Sequence, residues 1–349
     1  MKKKILIIEA FILGLIIIFS FGSGAGGGPS GIIYTEFAGE MGYFDFDTKK
    51  FAEKISRMGS ASSRYDAFDI SWDNKKILLT MDVDGGLNFD ERRYLLREIK
   101  KGFKDYDKVN SGGNIFDGII EWESISNLDA YISPDENYIA ISSQHFSDLP
   151  ITIIDTRTGK IVSQWEDEKV NFLEYGKPVW TADNTLYFRI GSYLYKCSPQ
   201  SGYKTATKIL QLKEGASNVS VNPQGTKIVF TVDRHIWMSD IDGNNLKQIT
   251  TSKTVEGLSS GGEGLPIFSP DGKYIAFSSQ GTTGTLLVNE FFDGSFVSAV
   301  GGKFGYLTII PANGKLYDMD KGNSDVMIVK GAKSGDRIPL TTTPVWRNK

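Results

Sequence analysis

Apolar residues recur along this chain in short runs, and within a run they alternate or follow one another directly instead of repeating every ~3.6 positions. That pattern predicts strands. Clusters of Pro, Asp, Asn and Gly separate the runs, and one phrase recurs: an apolar strand, such a turn, and a second apolar strand. Two copies are nearly identical, Ile132-Ser133-Pro134-Asp135-Glu136-Asn137-Tyr138-Ile139-Ala140-Ile141-Ser142-Ser143 and Phe268-Ser269-Pro270-Asp271-Gly272-Lys273-Tyr274-Ile275-Ala276-Phe277-Ser278-Ser279. Weaker copies occupy residues 70–79, 179–188, 221–230 and 309–317. The chemistry of each phrase fits a tight hairpin: Pro presets φ at the first turn position, Asp or Asn braces the turn, and Gly takes the left-handed position.

Markers at the Pro position of each phrase, 72, 134, 182, 223, 270 and 311, lie 62, 48, 41, 47 and 41 residues apart. Repeats of that length predict the four-stranded blades of a β-propeller. Two further strands per unit can be read: residues 151–155 and 160–165 about Thr156-Arg157-Thr158-Gly159, and residues 236–240 and 246–250 about Ile241-Asp242-Gly243-Asn244-Asn245. The ends complement each other. Thr343-Pro344-Val345-Trp346 matches the blade-opening Lys177-Pro178-Val179-Trp180, whereas residues 31–35, 42–46 and 50–55 read as the second, third and fourth strands of a blade that lacks its first. The expectation is an all-β propeller of seven blades, six complete and one shared by the two ends, so that no sheet edge is left exposed.

The phrase at 268–279, together with Met238-Ser239-Asp240-Ile241-Asp242-Gly243-Asn244-Asn245-Leu246-Lys247-Gln248-Ile249-Thr250, resembles the repeat of the TolB-like (WD40-like, PD40) propellers over about residues 31–346. The resemblance implies a single propeller domain at 31–349, without the α/β domain that precedes the blades in TolB itself. It also implies a periplasmic protein that binds other envelope proteins across the propeller face and central channel. The same blades occur in scaffolds, peptidase gating domains and lyases, so blade identity alone assigns no activity.

The first residues, Met1-Lys2-Lys3-Lys4 and then an apolar stretch to Phe21, read as the basic and hydrophobic regions of a secretory signal. Ser23-Gly24-Ala25 supplies the small residues for cleavage, which gives a signal peptide at 1–25 and a flexible lead at 26–30. Glu9 interrupts the apolar stretch, and an uncleaved membrane anchor is the alternative. No Cys follows it, which excludes a lipid-anchored form. The single cysteine, Cys197, lies in an apolar run and reads as a small core residue, so the exported chain has no internal disulfide. Net charge is −3, and no basic run follows Lys4. A nucleic-acid partner is therefore excluded, because phosphate binding needs a basic patch.

Candidate chemistry is sparse. Gly257-Leu258-Ser259-Ser260-Gly261 has the G-x-S-x-G spacing of a hydrolase nucleophile but sits in a Gly/Ser-rich link without the strand-to-helix turn that motif needs. The only histidines, His145 and His235, each follow a second strand and read as solvated turn residues. Asp82, Asp84, Asn88 and Asp90 place oxygens at intervals suited to calcium, but Leu87 stands where the loop needs Gly and no Glu closes it at position twelve. A long insertion, about residues 83–127, is the expected place for a partner site, since insertions into repeats collect on exposed faces. Trp72, Trp180 and Trp346 are read as occupying corresponding positions in separate repeats, hence as core packing between blades and not a sugar platform. No catalytic, cofactor-binding or metal-ligating residue is assigned, and no cofactor is expected. The expected function is a non-enzymatic protein-interaction module of the bacterial envelope. The alternative is a carbohydrate- or small-ligand-binding propeller, extending to a channel-mouth hydrolase or lyase that uses carboxylates and calcium.

Overall fold

The computed structural model describes residues 28–37, 40–57, 65–82, 91–98, 120–121, 128–143, 151–165, 170, 175–252, 262–279, 305–321, 323–329, 339–340 and 343–349. The chain begins with β1 (Ile32–Phe37), β2 (Glu40–Asp45) and β3 (Lys50–Arg57), paired in that order. The first complete sheet is β4 (Tyr65–Ile70), β5 (Lys76–Asp82), β6 (Glu91–Glu98) and β7 (Ile120–Glu121). The second is β8 (Leu128–Ile132), β9 (Tyr138–Ser143), β10 (Ile151–Asp155) and β11 (Ile161–Trp165). The third is β12 (Val179–Trp180), β13 (Leu186–Ile190), β14 (Tyr193–Cys197) and β15 (Thr207–Gln211). The fourth is β16 (Ser217–Val221), β17 (Lys227–Val232), β18 (His235–Asp240) and β19 (Lys247–Gln248), after which comes β20 (Thr250–Thr251). The fifth holds β21 (Glu263–Phe268), β22 (Tyr274–Ser279), β23 (Gly305–Pro311), β25 (Met327–Ile328) and β26 (Pro339–Leu340); β24 (Tyr317–Asp318) instead pairs in parallel with β20. Last, β27 (Val345–Arg347) pairs antiparallel with β1, setting Ile32 opposite Arg347, Ile33 opposite Trp346 and Tyr34 opposite Val345. The two ends of the chain thus build one sheet, β27-β1-β2-β3.

The architecture is an all-β propeller. In each sheet the innermost strand touches that of the next: β4 against β8, β8 against β12, β12 against β16, β16 against β21, while β27 touches both β21 and β4. The hydrophobic core is divided among the spaces between sheets, and side-chain alternation explains how. In β17, Ile228 and Phe230 pack toward the third sheet with Val219 and Leu194, while Val229 between them packs toward the fifth with Phe277 and Ile310. In β22, Ala276 faces Trp346 and Ile33, and Ile275 and Phe277 face Met238 and Ile236. Both faces of such strands are buried, so they read as continuous apolar runs.

Six blade-sized sheets occur among the described residues where seven blades were expected. The difference comes from the phrase at 309–317: β23 sets Ile309 and Ile310 opposite Ala276 and Ile275 as a third strand, not the first strand of a new blade. Its Pro-Ala-Asn-Gly turn suits any hairpin, and turn chemistry alone cannot distinguish an inner hairpin from an outer one. Within the expected insertion at 83–127, Glu91–Glu98 and Ile120–Glu121 form the third and fourth strands of the first sheet. The rest of that segment and residues 1–25, where a signal peptide was expected, lie outside the described residues.

Candidate functional site

Five of the innermost strands end in the same side-chain-braced turn. Ser71, Ser133, Thr181 and Ser269 each donate a hydroxyl to the carboxylate two residues on, at 2.7 Å to Asp73, 2.6 Å to Asp135, 2.7 Å to Asp183 and 2.6 Å to Asp271. In the fourth sheet the amide of Asn222 and Gln224 Oε1 replace that pair, at 3.0 Å. Each carboxylate then accepts a backbone N–H from the next turn residue but one, as Lys75 does to Asp73 at 3.0 Å and Lys273 to Asp271 at 3.0 Å. The residue after it is left-handed: Asn74, Asn184, Gly225 and Gly272, and also Glu136 at φ 60. A Glu is poorly suited to that conformation, and there its carboxylate meets Lys76 of the first sheet.

Burial pushes these turn carboxyls up, but the hydroxyl and N–H bonds outweigh it, so Asp135, Asp183 and Asp271 lie below the usual carboxylate range and Asp73 falls to about 2. A lowered folded-state pKa gives stability that is present above the unfolded value of 3.8 and lost as pH falls through the folded one. The melting temperature is therefore expected to drop between about pH 4 and pH 2. A variant with Asn at 73, 135, 183 and 271 is expected to melt lower at neutral pH with a flatter acid limb; an unchanged limb would exclude the turns as its cause.

The turns also hold one another. The Asp135 N–H donates to Asn184 Oδ1 at 3.1 Å, the Ala182 N–H to the Pro223 carbonyl at 3.0 Å, and the Gln224 amide to the Asp271 carbonyl at 3.5 Å. Tyr34 donates to Asn74 Oδ1 at 3.1 Å, and the Asn74 amide donates to the Asn348 carbonyl. Within this belt lies a cavity of 540 Å³ to which all six innermost strands contribute, among them Asp69, Tyr131, Trp180, Val219, Ile267 and Val345. No sequence motif pointed to it.

Its electrostatic centre is Asp69, on β4. The side chain is 2% exposed and receives Arg347 Nη2 at 2.7 Å, the Ile132 N–H at 3.0 Å and the Ile70 N–H at 2.9 Å. Burial raises the carboxyl above its ordinary value, against the opposing charges of Arg347 and Lys177 and the two N–H bonds. Arg347 spends its Nε on the Ile70 carbonyl at 2.7 Å and lays its guanidinium 5.2 Å from the centre of the Trp72 ring. Lys177 sits 4.0 Å over the Tyr131 ring. The indole N–H of Trp72 is buried and has no partner among the described residues.

The expected equivalence of three tryptophans is corrected here. Trp180 and Trp346 do correspond and are buried, donating to the Tyr131 and Ser30 carbonyls at 2.9 Å each. Trp72 stands two residues further along its phrase, at the turn position of Pro134, Pro223 and Pro270. It lines the cavity, and Arg347 occupies the position that holds Ser, Thr or Asn in the other sheets.

Of the other sequence candidates, His235 is not a solvated turn residue. Its Nδ1 lies 2.7 Å from Glu263 Oε2, on a side chain with no exposure, and Thr250 donates its hydroxyl to the same oxygen at 3.2 Å. The group joins the fourth and fifth sheets. Neither His235 nor Glu263 lines the cavity. Cys197 is buried against the second and third sheets, and burial raises its thiol to about 12. It is expected to resist a disulfide reagent until the protein unfolds; rapid labelling of the folded protein would contradict this. His145, the sequence 257–261 and most of the acidic loop lie outside the described residues; Asp82 ends β5 and Glu91 begins β6. No group of three or more His, Cys, Asp or Glu suited to a metal occurs among the described residues.

No family model matches the chain, and no curated protein matches it in sequence. Among solved structures the chain is similar to TolB from Acinetobacter baumannii, with a TM-score of 0.56 and 15% identity, over 94% of this chain and 69% of that one. The fold is that of a TolB-like propeller. The TolB-like propeller is also similar to a putative TolB from Agrobacterium tumefaciens, with a TM-score of 0.47 and 17% identity over 83% and 87% of the two chains. A further similarity is to an oligogalacturonate lyase from Vibrio parahaemolyticus, with a TM-score of 0.48 and 13% identity over 71% and 70%.

Proposed function

We propose that this protein is an exported, non-enzymatic β-propeller of the cell envelope that binds another protein at the mouth of its central cavity. Six sheets close into one ring about that cavity, a reading supported by the unbroken succession of contacts among their innermost strands. The observation that carries the binding role is the cavity itself, because its walls include side chains that depart from the repeat. Trp72 stands where three of the other turns have Pro, and Arg347 stands where the other sheets have a bracing Ser, Thr or Asn. Departures from a repeat, collected on one face, are where such proteins place recognition. A binding role also accords with the state of Asp69. Its oxygens are engaged by Arg347 and two backbone N–H groups, an arrangement suited to holding strands together and not to taking a proton from a substrate.

The basic and apolar start of the sequence supports export, with residues 1–25 removed as a leader. The test is capture from the envelope fraction with a photo-crosslinking residue at Asn218, which is exposed and lines the cavity, compared with one at the exposed and remote Lys160. A specific protein adduct from Asn218 alone is the expected result. Adducts from Lys160 alone, or turnover of a glycan by the purified protein, would replace the proposal.

A further inference from the structure

We infer that His235 and Glu263 form a pH-sensitive clamp that holds the Leu265–Pro266 stretch of the cavity wall in mild acid and slackens it as pH rises through neutrality. The inference rests on the binding role proposed above and adds its regulation. The first support is geometric. Glu263 begins β21 with a side chain that has no exposure. An ionised carboxylate can only accept, so His235 Nδ1, at 2.7 Å, donates to Glu263 Oε2. Thr250 accepts the Ile236 N–H at 2.8 Å, which turns its own hydroxyl proton toward the same oxygen at 3.2 Å. The other oxygen, Oε1, is buried without a hydrogen-bond partner among the described residues. The backbone is tied at the same point: the Glu263 N–H donates to the Arg234 carbonyl at 2.7 Å, and a Cβ on Gly262 would lie 2.6 Å from that carbonyl oxygen.

The second support is what the clamp holds. Two residues on, Leu265 has a φ of 56, where the register of β21 against β22 shifts. β16 has a matching irregularity with Asn218 at φ 49, but Asn tolerates the left-handed region and a bulky leucine does not. Such a backbone persists only where its flanks are fixed. Leu265 and Pro266 line the cavity, as do Asn218 and Val219 across the same seam. The third support is charge. Histidine changes charge between about pH 5 and pH 8. While His235 carries its proton, the bond to Glu263 is charge-assisted, roughly twice as strong as a neutral one. Once the imidazole is neutral, Nδ1–H still donates, but the positive charge 2.7 Å from a buried carboxylate is gone and Oε1 still lacks a donor. Water then competes for the carboxylate, so the tie present in acid is lost as pH rises. The other described charged groups beside His235 are Asp233 and Arg234, in the turn before β18; β17 brings Thr231 and Val232, and β20 brings Thr250.

The test is hydrogen exchange of the unaltered protein, read by mass spectrometry on residues 262–268 and corrected for the intrinsic pH dependence of exchange. Protection there is expected to fall about tenfold from about pH 5.5 to about pH 8, while residues 186–190 of β13 in the third sheet hold theirs. His235→Gln keeps a donor that never charges, so its protection should be low and flat across the range. His145→Gln, which alters the only other histidine, should leave the wild-type dependence intact. Constant protection in the unaltered protein, an equal fall at β13, or a dependence that survives His235→Gln would overturn the inference. The first two outcomes are read without a variant, so the result does not hinge on a substitution folding. Crosslinking from Asn218 carries the link to binding: its protein adduct should decline over the same pH range, and a yield that ignores pH would overturn the regulation while the binding role stands. If exchange responds as expected but Asn218 captures nothing, the clamp remains and the binding role falls.

Discussion

Replacing Arg347 with alanine is expected to destabilise the protein by about 3–5 kcal/mol, because it strands a buried carboxylate whose compensating charge is gone. Arg347 is the third residue from the C-terminus, and its reach is wide. It pairs with Asp69 at 2.7 Å, donates to the Ile70 carbonyl at 2.7 Å and covers the Trp72 ring, all on the first sheet, while its backbone pairs with Ile32 on β1. The neighbouring residues tighten the same joint. Trp346 stacks on Phe46 with ring centres 5.0 Å apart, and Lys349 meets Asp45 at 2.8 Å. Gly31 is required there too: with φ +87, a Cβ on it would lie 2.3 Å from the Arg347 carbonyl oxygen.

The pH dependence separates this account from a simple loss of packing. Burial already raises the Asp69 carboxyl, so the folded protein holds that proton more tightly than the unfolded chain does. The stability linked to it is fully present below the unfolded value of 3.8 and declines as pH rises. Removing Arg347 removes the largest opposing influence, which raises the carboxyl further. The gap between variant and wild type is thus expected to be small in acid and to widen toward neutral pH, measured by urea unfolding across that range. A gap independent of pH would mean that Arg347 acts through packing alone, and Asp69→Asn in the Arg347→Ala background should recover part of the loss.

The blades were legible because their signals are local. Residues 31–35, 42–46 and 50–55 were read as strands, and β1, β2 and β3 span Ile32–Phe37, Glu40–Asp45 and Lys50–Arg57. Pro178-Val179-Trp180 and Pro344-Val345-Trp346 share a pattern that led to the pairing of the two ends, since each opens a sheet from its innermost edge. The seven-blade expectation leaned on a local signal that has two uses: the turn after Ile310 has the composition of an inner hairpin but follows a third strand. The cavity was not legible at all. Asp69 and Arg347 lie 278 residues apart, and only the arrangement of sheets brings them together. Trp72 was aligned with the wrong position because an aromatic residue was matched to aromatic residues, when the braced Ser71-Trp72-Asp73 turn fixes its place. His235 was read from its turn alone; its buried partner Glu263 belongs to the next sheet.

Tyr203→Ala is expected to cost about 3–5 kcal/mol, as large as the loss of Arg347 but by a different mechanism. Tyr203 lies in the link between β14 and β15, outside any strand, with a backbone φ of 59, and its side chain is only 1% exposed. A ring from a connecting segment fills the space between the second and third sheets. It meets Tyr138 edge-on at 4.7 Å and Trp180 at 5.7 Å, and its hydroxyl donates to the Asn184 carbonyl at 2.9 Å. From the other side, Ser163 of β11 donates to the Tyr203 carbonyl. Truncation would open a cavity that the flanking sheets, each tied into its own ladder, cannot collapse to fill. Tyr203→Phe keeps the ring and removes only the hydroxyl, so it should cost about 1–2 kcal/mol. Urea unfolding of the two variants decides the matter: a phenylalanine as damaging as the alanine would place the effect in the hydrogen bond to Asn184 instead of the packing between sheets. Hydrogen exchange adds a spatial check, since loosening should first appear at β9, β10 and β13, which flank the ring, while β22 and β23 on the far side retain their protection.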